Sequence, residues 1–288
     1  MKSFQNRRVF ITGGSSGIGL ALAETLVQQG AHVCIVSRKS AGIKAAVKRL
    51  RELAPANAAN ITGYTADVGS YRQLKSVYRK YRRDFGVPHV LFNCAGFSRP
   101  GYAHSLPLHQ FYRQMETNFY GTVHGVRILS DDWIKRGEGG VIVNVASLAG
   151  FLGVFGFSAY SPTKFAVMGF SEVLRQELAA YKIRVHVACP PDTATPGLKT
   201  ENDGKPYETV ALSGTAKLMS ARAVAESILA GVRRNRFVIL SNFESRWIYA
   251  VSRWLPGLSR RVIDGMIRRA QKSARPSPAD SVSARRPG

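Results

Sequence analysis

A glycine-rich turn is the first part of this sequence whose residue types could do chemistry. It comprises Thr12, Gly13, Gly14, Ser15, Ser16, Gly17, Ile18 and Gly19. A strand pattern precedes the turn and a helical pattern follows it. Glycines let the chain turn sharply and approach a pyrophosphate, and a helix N-terminus offers unpaired N–H groups to an anion. The turn therefore predicts a dinucleotide-phosphate site, with an unliganded tight turn as the alternative.

The end of the second predicted strand indicates which dinucleotide the site would select. An NAD-selective site usually carries an acidic residue there, which binds the ribose 2′-hydroxyl. This sequence has Ser37, Arg38 and Lys39 instead. Because an arginine can meet a 2′-phosphate, we predict NADP(H), with Arg38 as the main contact and Ser37 or Lys39 assisting. A basic turn exposed to solvent is the alternative.

The elements that must position these residues follow an alternating pattern. From residue 7 onward, short β-branched runs alternate with longer helical patterns, which is typical of a parallel sheet with helices on both faces. Strands are predicted at residues 8–11, 32–37, 61–65, 89–93, 140–144, 184–188 and 237–240. The sequence thus predicts an α/β fold with a doubly wound, Rossmann-type, seven-stranded parallel sheet, plus C-terminal amphipathic helices.

Length and composition predict how the chain is divided. We expect an NADP-binding catalytic domain at residues 1–242, a basic helical appendage at 243–272 and a disordered tail at 273–288. The three cysteines lie far apart in apolar surroundings, which predicts reduced packing residues and no metal site. The N-terminus is polar and lacks the apolar core of a signal peptide, so we expect a cytoplasmic protein.

The formal net charge of +23 favours an anionic partner, which would be nucleic acid, an anionic membrane surface or an anionic ligand. No zinc-finger, RNA-binding or helix-turn-helix pattern accompanies the charge, so we expect no nucleic acid. Beyond residue 240, ten Arg or Lys stand against three Asp or Glu, interleaved with apolar residues at helical spacing. Those apolar residues are Phe243, Trp247, Ile248, Val251, Trp254, Leu255, Leu258, Val262, Met266 and Ile267.

This appendage predicts two basic amphipathic helices, because Pro256 and Gly257 should break the pattern. No apolar run approaches the length of about 20 residues that a transmembrane helix needs. Tryptophans and arginines on one helix suit a lipid headgroup layer, so we predict peripheral membrane contact through residues 243–272. The alternative is a lid or subunit contact packed on the catalytic domain.

Further motifs resemble those of the short-chain dehydrogenase/reductase family, from about residue 7 to residue 240. Residues 12–19 match its motif Thr-Gly-x-x-x-Gly-x-Gly. The positions that match its other cofactor contacts are Asp67 and Val68, Asn93, Ala95 and Gly96, and Pro190, Thr193 and Thr195. Cys94 and Pro191 depart from the family, which usually has Asn and Gly there. The resemblance implies an oxidoreductase acting on CH–OH or C=O groups, assembled as a homodimer or homotetramer.

The resemblance also implies the catalytic residues Asn118, Ser147, Tyr160 and Lys164. A phenol has a pKa near 10, so Tyr160 needs a nearby cation to respond near neutrality. Lys164, four residues on along a helix, would supply that charge and reach the nicotinamide ribose, so both residues also count as cofactor contacts. Ser147 would hold the substrate oxygen, and Asn118 would organise a water-mediated proton path.

The segment around Pro190 and Thr195 is similar to one branch of that family, which reduces the 3-keto group of a long-chain sphingoid base with NADPH. We therefore expect a long-chain keto-lipid substrate. Another lipid carbonyl, such as a 3-oxoacyl thioester or a steroid, is the alternative, as is a non-catalytic NADP-sensing membrane scaffold. The apolar segment 150–157 would line an alkyl channel or pack in the core, and Asp192 would meet the amine or cap a turn.

Overall fold

A seven-stranded, fully parallel sheet organises the chain. The computed structural model describes residues 1–202, 204–213 and 218–274, so residues 275–288 of the predicted tail 273–288 lie outside them. The sheet strands are β1 (Arg8–Thr12), β2 (His32–Ser37), β3 (Ile61–Thr65), β4 (Val90–Asn93), β5 (Gly140–Val145), β6 (Ile183–Ala188) and β9 (Val238–Ile239). Their order across the sheet is β3-β2-β1-β4-β5-β6-β9. Each predicted strand agrees with an observed one to within a residue at either end, and the predicted fold class is confirmed.

A separate parallel pair, β7 (Thr193–Ala194) with β8 (Met219–Ser220), was not predicted. Each of its strands has two residues, too few to produce a periodic pattern. The helices are α1 (Gly17–Gln28), α2 (Ser40–Leu53), α3 (Tyr71–Phe85), α4 (Leu108–Gln114), α5 (Gly121–Arg136), α6 (Ser161–Glu177), α7 (Pro196–Asn202), α8 (Tyr207–Ser213), α9 (Ala221–Arg233), α10 (Phe243–Trp254) and α11 (Pro256–Ala274). A π-helical turn, Met115–Tyr120, joins α4 to α5.

Helices cover both faces of the sheet, and each face has its own hydrophobic cluster. Val9 and Ile11 pack with α1, α2 and α9, whereas Phe10, between them, packs with α3, α5 and α6 on the other face. Strands buried on both faces are continuous apolar runs, which is why they were recognisable in the sequence. The carboxyl ends of the strands are therefore fixed together at one edge, where ligands of such sheets bind.

The cysteines are free thiols, as expected, and Cys34 and Cys189 are fully buried. Burial raises the pKa of all three thiols, which keeps them protonated near neutrality. Cys34 lies in the cluster around Phe10, and Cys189 packs beside Met168. They act as small apolar side chains of the core.

The two C-terminal helices break where predicted, since α10 ends at Trp254 and α11 begins at Pro256. One side of the pair contacts the rest of the protein: the Tyr249 and Phe151 rings lie 5.0 Å apart, and Gln271 donates to the Glu208 carboxylate. The exposed apolar side chains on these helices and their junction are Phe243, Trp247, Trp254, Leu255, Leu258, Val262 and Met266. Within the described residues, no helix combines the length and hydrophobicity needed to cross a bilayer.

Candidate active site

The glycine-rich turn packs directly against the loop that follows β4. Gly13 has a φ of +70°, and a methyl group on it would lie 2.7 Å from the Ala95 Cα atom. A methyl group on Gly19 would clash with the carbonyl oxygen of Gly13, so α1 can meet the turn only with glycine there. Thr12 is buried, and its hydroxyl accepts a hydrogen bond from the Ala95 N–H. Both glycines are required by close backbone approach.

The first turn of α1 is suited to bind an anion. Ser16 precedes the helix, and its side chain makes no capping hydrogen bond. The N–H groups of Gly17 and Ile18 face the N-terminal end of the helix, where the partial positive charge of its dipole is concentrated. Gly14 packs against Ile35 of β2. This geometry fits a pyrophosphate, as predicted for the turn.

The end of β2 is tied to the same turn. The Ser15 hydroxyl donates to the Ser37 hydroxyl across 2.9 Å. Arg38 is exposed, and its guanidinium carbon lies 5.9 Å from the centroid of the Phe97 ring. Lys39 is exposed directly before α2. A cation thus stands beside the phosphate turn, at the position where a 2′-phosphate would be recognised.

The structure separates the other predicted cofactor residues into two groups. Asp67 is half-buried after β3, where its carboxylate accepts a hydrogen bond from the Gly69 N–H, and Val68 packs on Gly121. Asn93, in contrast, is 2% exposed, and its side-chain amide donates to Asn144 across 2.9 Å. The Asn93 side chain is therefore engaged between β4 and β5, rather than open to a ligand.

Asn118 holds together three parts of the site. Its amide donates to the Phe97 carbonyl and to the Thr163 hydroxyl and accepts from the Phe97 N–H, at 3.0 to 3.1 Å. It lies in the π-helical turn, a local widening of a helix that is frequent at functional sites. A methyl group on Gly96 would lie 3.1 Å from the Asn118 oxygen and 3.4 Å from the Lys164 ammonium. The proton path through Asn118 stays a prediction.

Tyr160 and Lys164 lie together at the start of α6, as their spacing predicted. The Lys164 ammonium is 5.7 Å from the centroid of the Tyr160 ring and donates to the Val145 carbonyl across 2.9 Å. Lys164 is 5% exposed, and burial lowers its pKa to about 8. Because this value lies above neutrality, Lys164 keeps its positive charge at pH 7.

The surroundings of Tyr160 oppose its ionisation overall. We expected Lys164 to supply a cation that favours the phenolate, and that role stays a prediction; burial raises the pKa of the phenol, and the Glu201 and Asp192 carboxylates raise it further. The Ser147 hydroxyl acts in the opposite direction and lowers it. Desolvation disfavours the charged form of any acid, and it dominates here. The phenol therefore retains its proton, as a proton donor must.

The loops after β5 and β6 close the site. Ser147 follows β5 in an extended conformation, and its hydroxyl accepts from the Ala149 N–H. The Leu148 N–H donates a hydrogen bond to the carbonyl oxygen of Pro190, which is buried in the loop after β6. Thr193 donates to the Pro191 carbonyl, and the Thr195 methyl group lies 3.2 Å from where a methyl group on Gly17 would lie. The segment after β6 thus meets the glycine-rich turn.

Sequence reasoning missed an ion pair in this region. Glu201 of α7 and Lys205 lie one helical turn apart, with the ammonium 3.1 Å from the carboxylate, and both side chains are largely buried. The sequence offers no signal for this burial, because Glu and Lys at this spacing usually lie on a solvated helix face.

The assembled residues can bind a dinucleotide and reduce a carbonyl group. When bound, the nicotinamide cofactor would supply the hydride. Ser147 is positioned to hold a carbonyl oxygen beside the Tyr160 phenol, which can transfer its proton to that oxygen. Lys164 then provides a positive charge near the resulting phenolate.

Comparisons with known proteins agree with this geometry. The family model described as short chain dehydrogenase matches residues 7–206. A Danio rerio protein named 3-dehydrosphinganine reductase is 36% identical over 230 residues, which cover 80% of this chain and 69% of the relative. A Dictyostelium discoideum protein named 3-ketodihydrosphingosine reductase is 33% identical over 268 residues, which cover 88% and 79%.

Two solved structures show the same fold with a nicotinamide cofactor bound. A short-chain dehydrogenase/reductase from Burkholderia phymatum in complex with NAD has a TM-score of 0.77 and 25% identity, covering 88% of this chain and 94% of its own. ElxO with NADP bound has a TM-score of 0.71 and 27% identity, covering 82% and 97%. A nicotinamide cofactor is therefore supported for this chain, and the two structures differ in which one they hold.

Replacing Tyr160 with phenylalanine tests the assignment of the proton donor. Tyr160→Phe keeps the ring packing against Phe157 and removes only the hydroxyl. We expect the rate of carbonyl reduction to fall by about 10²- to 10⁴-fold, the range for loss of a general acid, while binding of the reduced nicotinamide cofactor is kept. Steady-state kinetics and a titration that follows the fluorescence of the reduced cofactor measure the two quantities. Turnover at the wild-type rate would contradict the role.

Proposed function

The chain belongs to the short-chain dehydrogenase/reductase family of oxidoreductases, and from that premise we propose that it reduces the 3-keto group of 3-ketosphinganine to the alcohol, with NADPH. The observation that carries the proposal is the Tyr160 phenol beside Ser147 and Lys164, next to the Glu201 and Asp192 carboxylates and the apolar segment 150–157. Family membership sets aside the non-catalytic scaffold considered from the sequence.

Each residue has one step in the proposed reaction. Ser147 donates a hydrogen bond to the ketone oxygen and stabilises the charge that develops there. Tyr160 transfers its proton to this oxygen, which completes the alcohol. Lys164, fixed by the Val145 carbonyl, stabilises the phenolate until a proton from solvent restores the phenol. Lys164 is buried and Tyr160 is partly buried, and the limited access of water strengthens these interactions.

The apolar segment between Ser147 and Tyr160 supports a long-chain substrate. Its aromatic residues contact neighbouring elements: Phe151 packs on Tyr249 of α10, and Phe155 lies 5.9 Å from Tyr102. Phe151, Leu152 and Phe155 nevertheless stay partly exposed. An apolar surface that begins beside the catalytic residues is what an alkyl chain attached to the ketone requires. The two relatives named above, whose names refer to the same ketone, add support.

A substrate panel tests this proposal. The purified protein should oxidise NADPH with 3-ketosphinganine at a kcat/KM at least about tenfold above that with 3-oxoacyl thioesters or 3-ketosteroids, since only the first combines an amine with a long alkyl chain. The measurement is the decrease in NADPH absorbance, with sphinganine identified by mass spectrometry. Faster turnover of the thioesters or steroids would overturn the proposed substrate and assign the enzyme to that other substrate class.

The preference for NADPH rests on Arg38. The residue is exposed beside the Ser15–Ser37 hydrogen bond, and neither Ser37 nor Lys39 carries the acidic group that a 2′-hydroxyl would select. Charge-assisted hydrogen bonds to a phosphate are among the stronger polar interactions in proteins.

Replacing Arg38 with aspartate should reverse the preference. We expect Arg38→Asp to lower kcat/KM for NADPH by about 10- to 100-fold and to leave that for NADH equal or higher, because hydrogen bonds to charged groups contribute about 1.5–3 kcal/mol. Arg79→Asp, an exposed arginine on α3, is the matched control for net charge. A wild type that prefers NADH would overturn the NADP assignment.

We further propose that α10 and α11 bind an anionic membrane surface peripherally. Their exposed face carries the apolar residues named above, including Trp254 at 81% exposure. Exposed arginines flank this face: Arg246, Arg253, Arg260, Arg261, Arg268 and Arg269. An apolar stripe bordered by cations matches a headgroup layer, in which the aromatic rings reach the acyl boundary and the arginines meet phosphates. The homodimer or homotetramer expected from the resemblance remains a separate proposal.

Vesicle flotation distinguishes membrane contact from subunit contact. The double variant Trp247→Ser, Trp254→Ser should partition at least about tenfold less into phosphatidylcholine–phosphatidylserine vesicles, because burying one large apolar side chain contributes about 1.5–3 kcal/mol. Added salt should weaken wild-type binding. The control Leu108→Ser, Tyr112→Ser changes two apolar residues of α4, each 69% exposed. Flotation of the tryptophan variant equal to that of the wild type would contradict membrane binding. So would a variant that dissociates into smaller species while its binding to vesicles stays unchanged, because the tryptophans would then form a subunit contact.

A further inference from the structure

The ion pair between Glu201 and Lys205 differs from comparable pairs in the described part of the chain. Its side chains are 14% and 4% exposed, whereas those of the i,i+4 pair Arg222–Glu226 are 70% and 54% exposed. An exposed pair contributes little to stability, and a buried one costs desolvation of two charges. Burial here therefore needs a reason other than stability.

The pair lies beside the proton donor. The Phe157 ring is the link: its centroid is 5.7 Å from that of Tyr160 and 5.8 Å from the Lys205 ammonium. Glu201 is 3.1 Å from that ammonium. Both the Glu201 and Asp192 carboxylates raise the pKa of the Tyr160 phenol, so their charges act on the proton donor.

We call Glu201, Asp192 and Lys205 the acidic cluster. It carries two negative charges and one positive charge. Glu201 and Asp192 interact with each other, and Lys205 neutralises only one of them. Glu201 is largely buried and Asp192 is partly buried, and an uncompensated charge with little access to water is costly unless a ligand neutralises it. A ligand that brings a single cation close to a carbonyl group would do so.

Resting on the proposed reduction of an amino ketone, we propose that Glu201 and Asp192 form a subsite for the ammonium group next to the ketone. Glu201 binds the ammonium, and Lys205 holds this carboxylate in the free protein. The cluster is thus a specificity determinant: it accepts a 2-amino ketone, leaves a neutral ketone with an uncompensated carboxylate, and repels a substrate with a negative charge at that position.

The test compares two substrates that differ only in the amine. Glu201→Gln keeps the shape of the side chain and removes its charge. We expect the ratio of kcat/KM for 3-ketosphinganine to that for the matching ketone without the amine to fall by about 10- to 100-fold, the range for a lost hydrogen bond between charged groups. Glu226→Gln, which breaks the exposed pair of the same spacing, should leave the ratio unchanged.

Replacing the partner lysine makes the opposite prediction. Lys205→Gln leaves Glu201 without its cation, so Glu201 is free to bind the substrate ammonium. The ratio of kcat/KM for 3-ketosphinganine to that for the ketone without the amine should therefore hold or rise. If Glu201→Gln folds poorly, as judged by thermal unfolding and NADPH binding, the double variant with Lys205→Gln removes both charges and must show the same fall.

The outcomes separate this subsite from the proposed function. A wild type that reduces 3-ketosphinganine, with a Glu201→Gln variant that loses activity equally on both ketones, overturns the subsite and leaves the proposed function standing. A rise of the ratio in Glu201→Gln also overturns it. A wild type that reduces only the ketone without the amine overturns the proposed function, and the subsite with it.

Discussion

The site depends on one buried hydrogen bond, from the Lys164 ammonium to the Val145 carbonyl. Val145 is the last residue of β5, and Ser147 follows two residues later, while Tyr160 lies one helical turn before Lys164. This bond therefore holds the first turn of α6 against the end of β5, with help from the buried hydrogen bond of Asn144 to Ser171, and so sets the spacing of the serine and the phenol. A buried cation without a hydrogen-bond acceptor would be strongly unfavourable, so the carbonyl both retains the charge and orients it.

Two opposing electrostatic effects meet at Tyr160. Burial lowers the pKa of Lys164 to about 8, yet leaves it charged at neutral pH. Burial and the Glu201 and Asp192 carboxylates raise the pKa of the phenol. Together they favour a protonated donor with a cation already in place beside it, which is the arrangement that reduction needs before the proton moves. An ammonium-bearing substrate would weaken the effect of the carboxylates, and so make the phenol a stronger acid when the ketone is bound.

The sequence predicted those parts of the structure that have a repeating or contiguous signal. The seven sheet strands were located to within a residue because strands buried on both faces are continuous apolar runs. The glycine-rich turn and the pairing of Tyr160 with Lys164 follow from local spacing. The inward orientation of the Asn93 side chain, the π-helical turn around Asn118 and the burial of Glu201 with Lys205 arise from tertiary packing. A Glu–Lys pair has the same sequence spacing whether it is exposed to solvent or buried against an aromatic ring, so the sequence does not indicate its burial.

The segment from residue 150 to residue 157 contacts both the C-terminal helix α10 and the residues around Tyr160. It leaves the loop of Ser147, reaches α10 through Phe151 and Tyr249, and returns to Phe157, which touches both Tyr160 and Lys205. Thr209 of α8 donates to the Phe155 carbonyl, and α8 in turn contacts α11 through Glu208 and Gln271. Helix α10, which carries the exposed tryptophans, is thus packed on the segment that borders the catalytic residues, and α11 is joined to that segment through α8. Under the proposed membrane contact, this series of contacts would connect the helices at the headgroup layer with the segment beside the phenol.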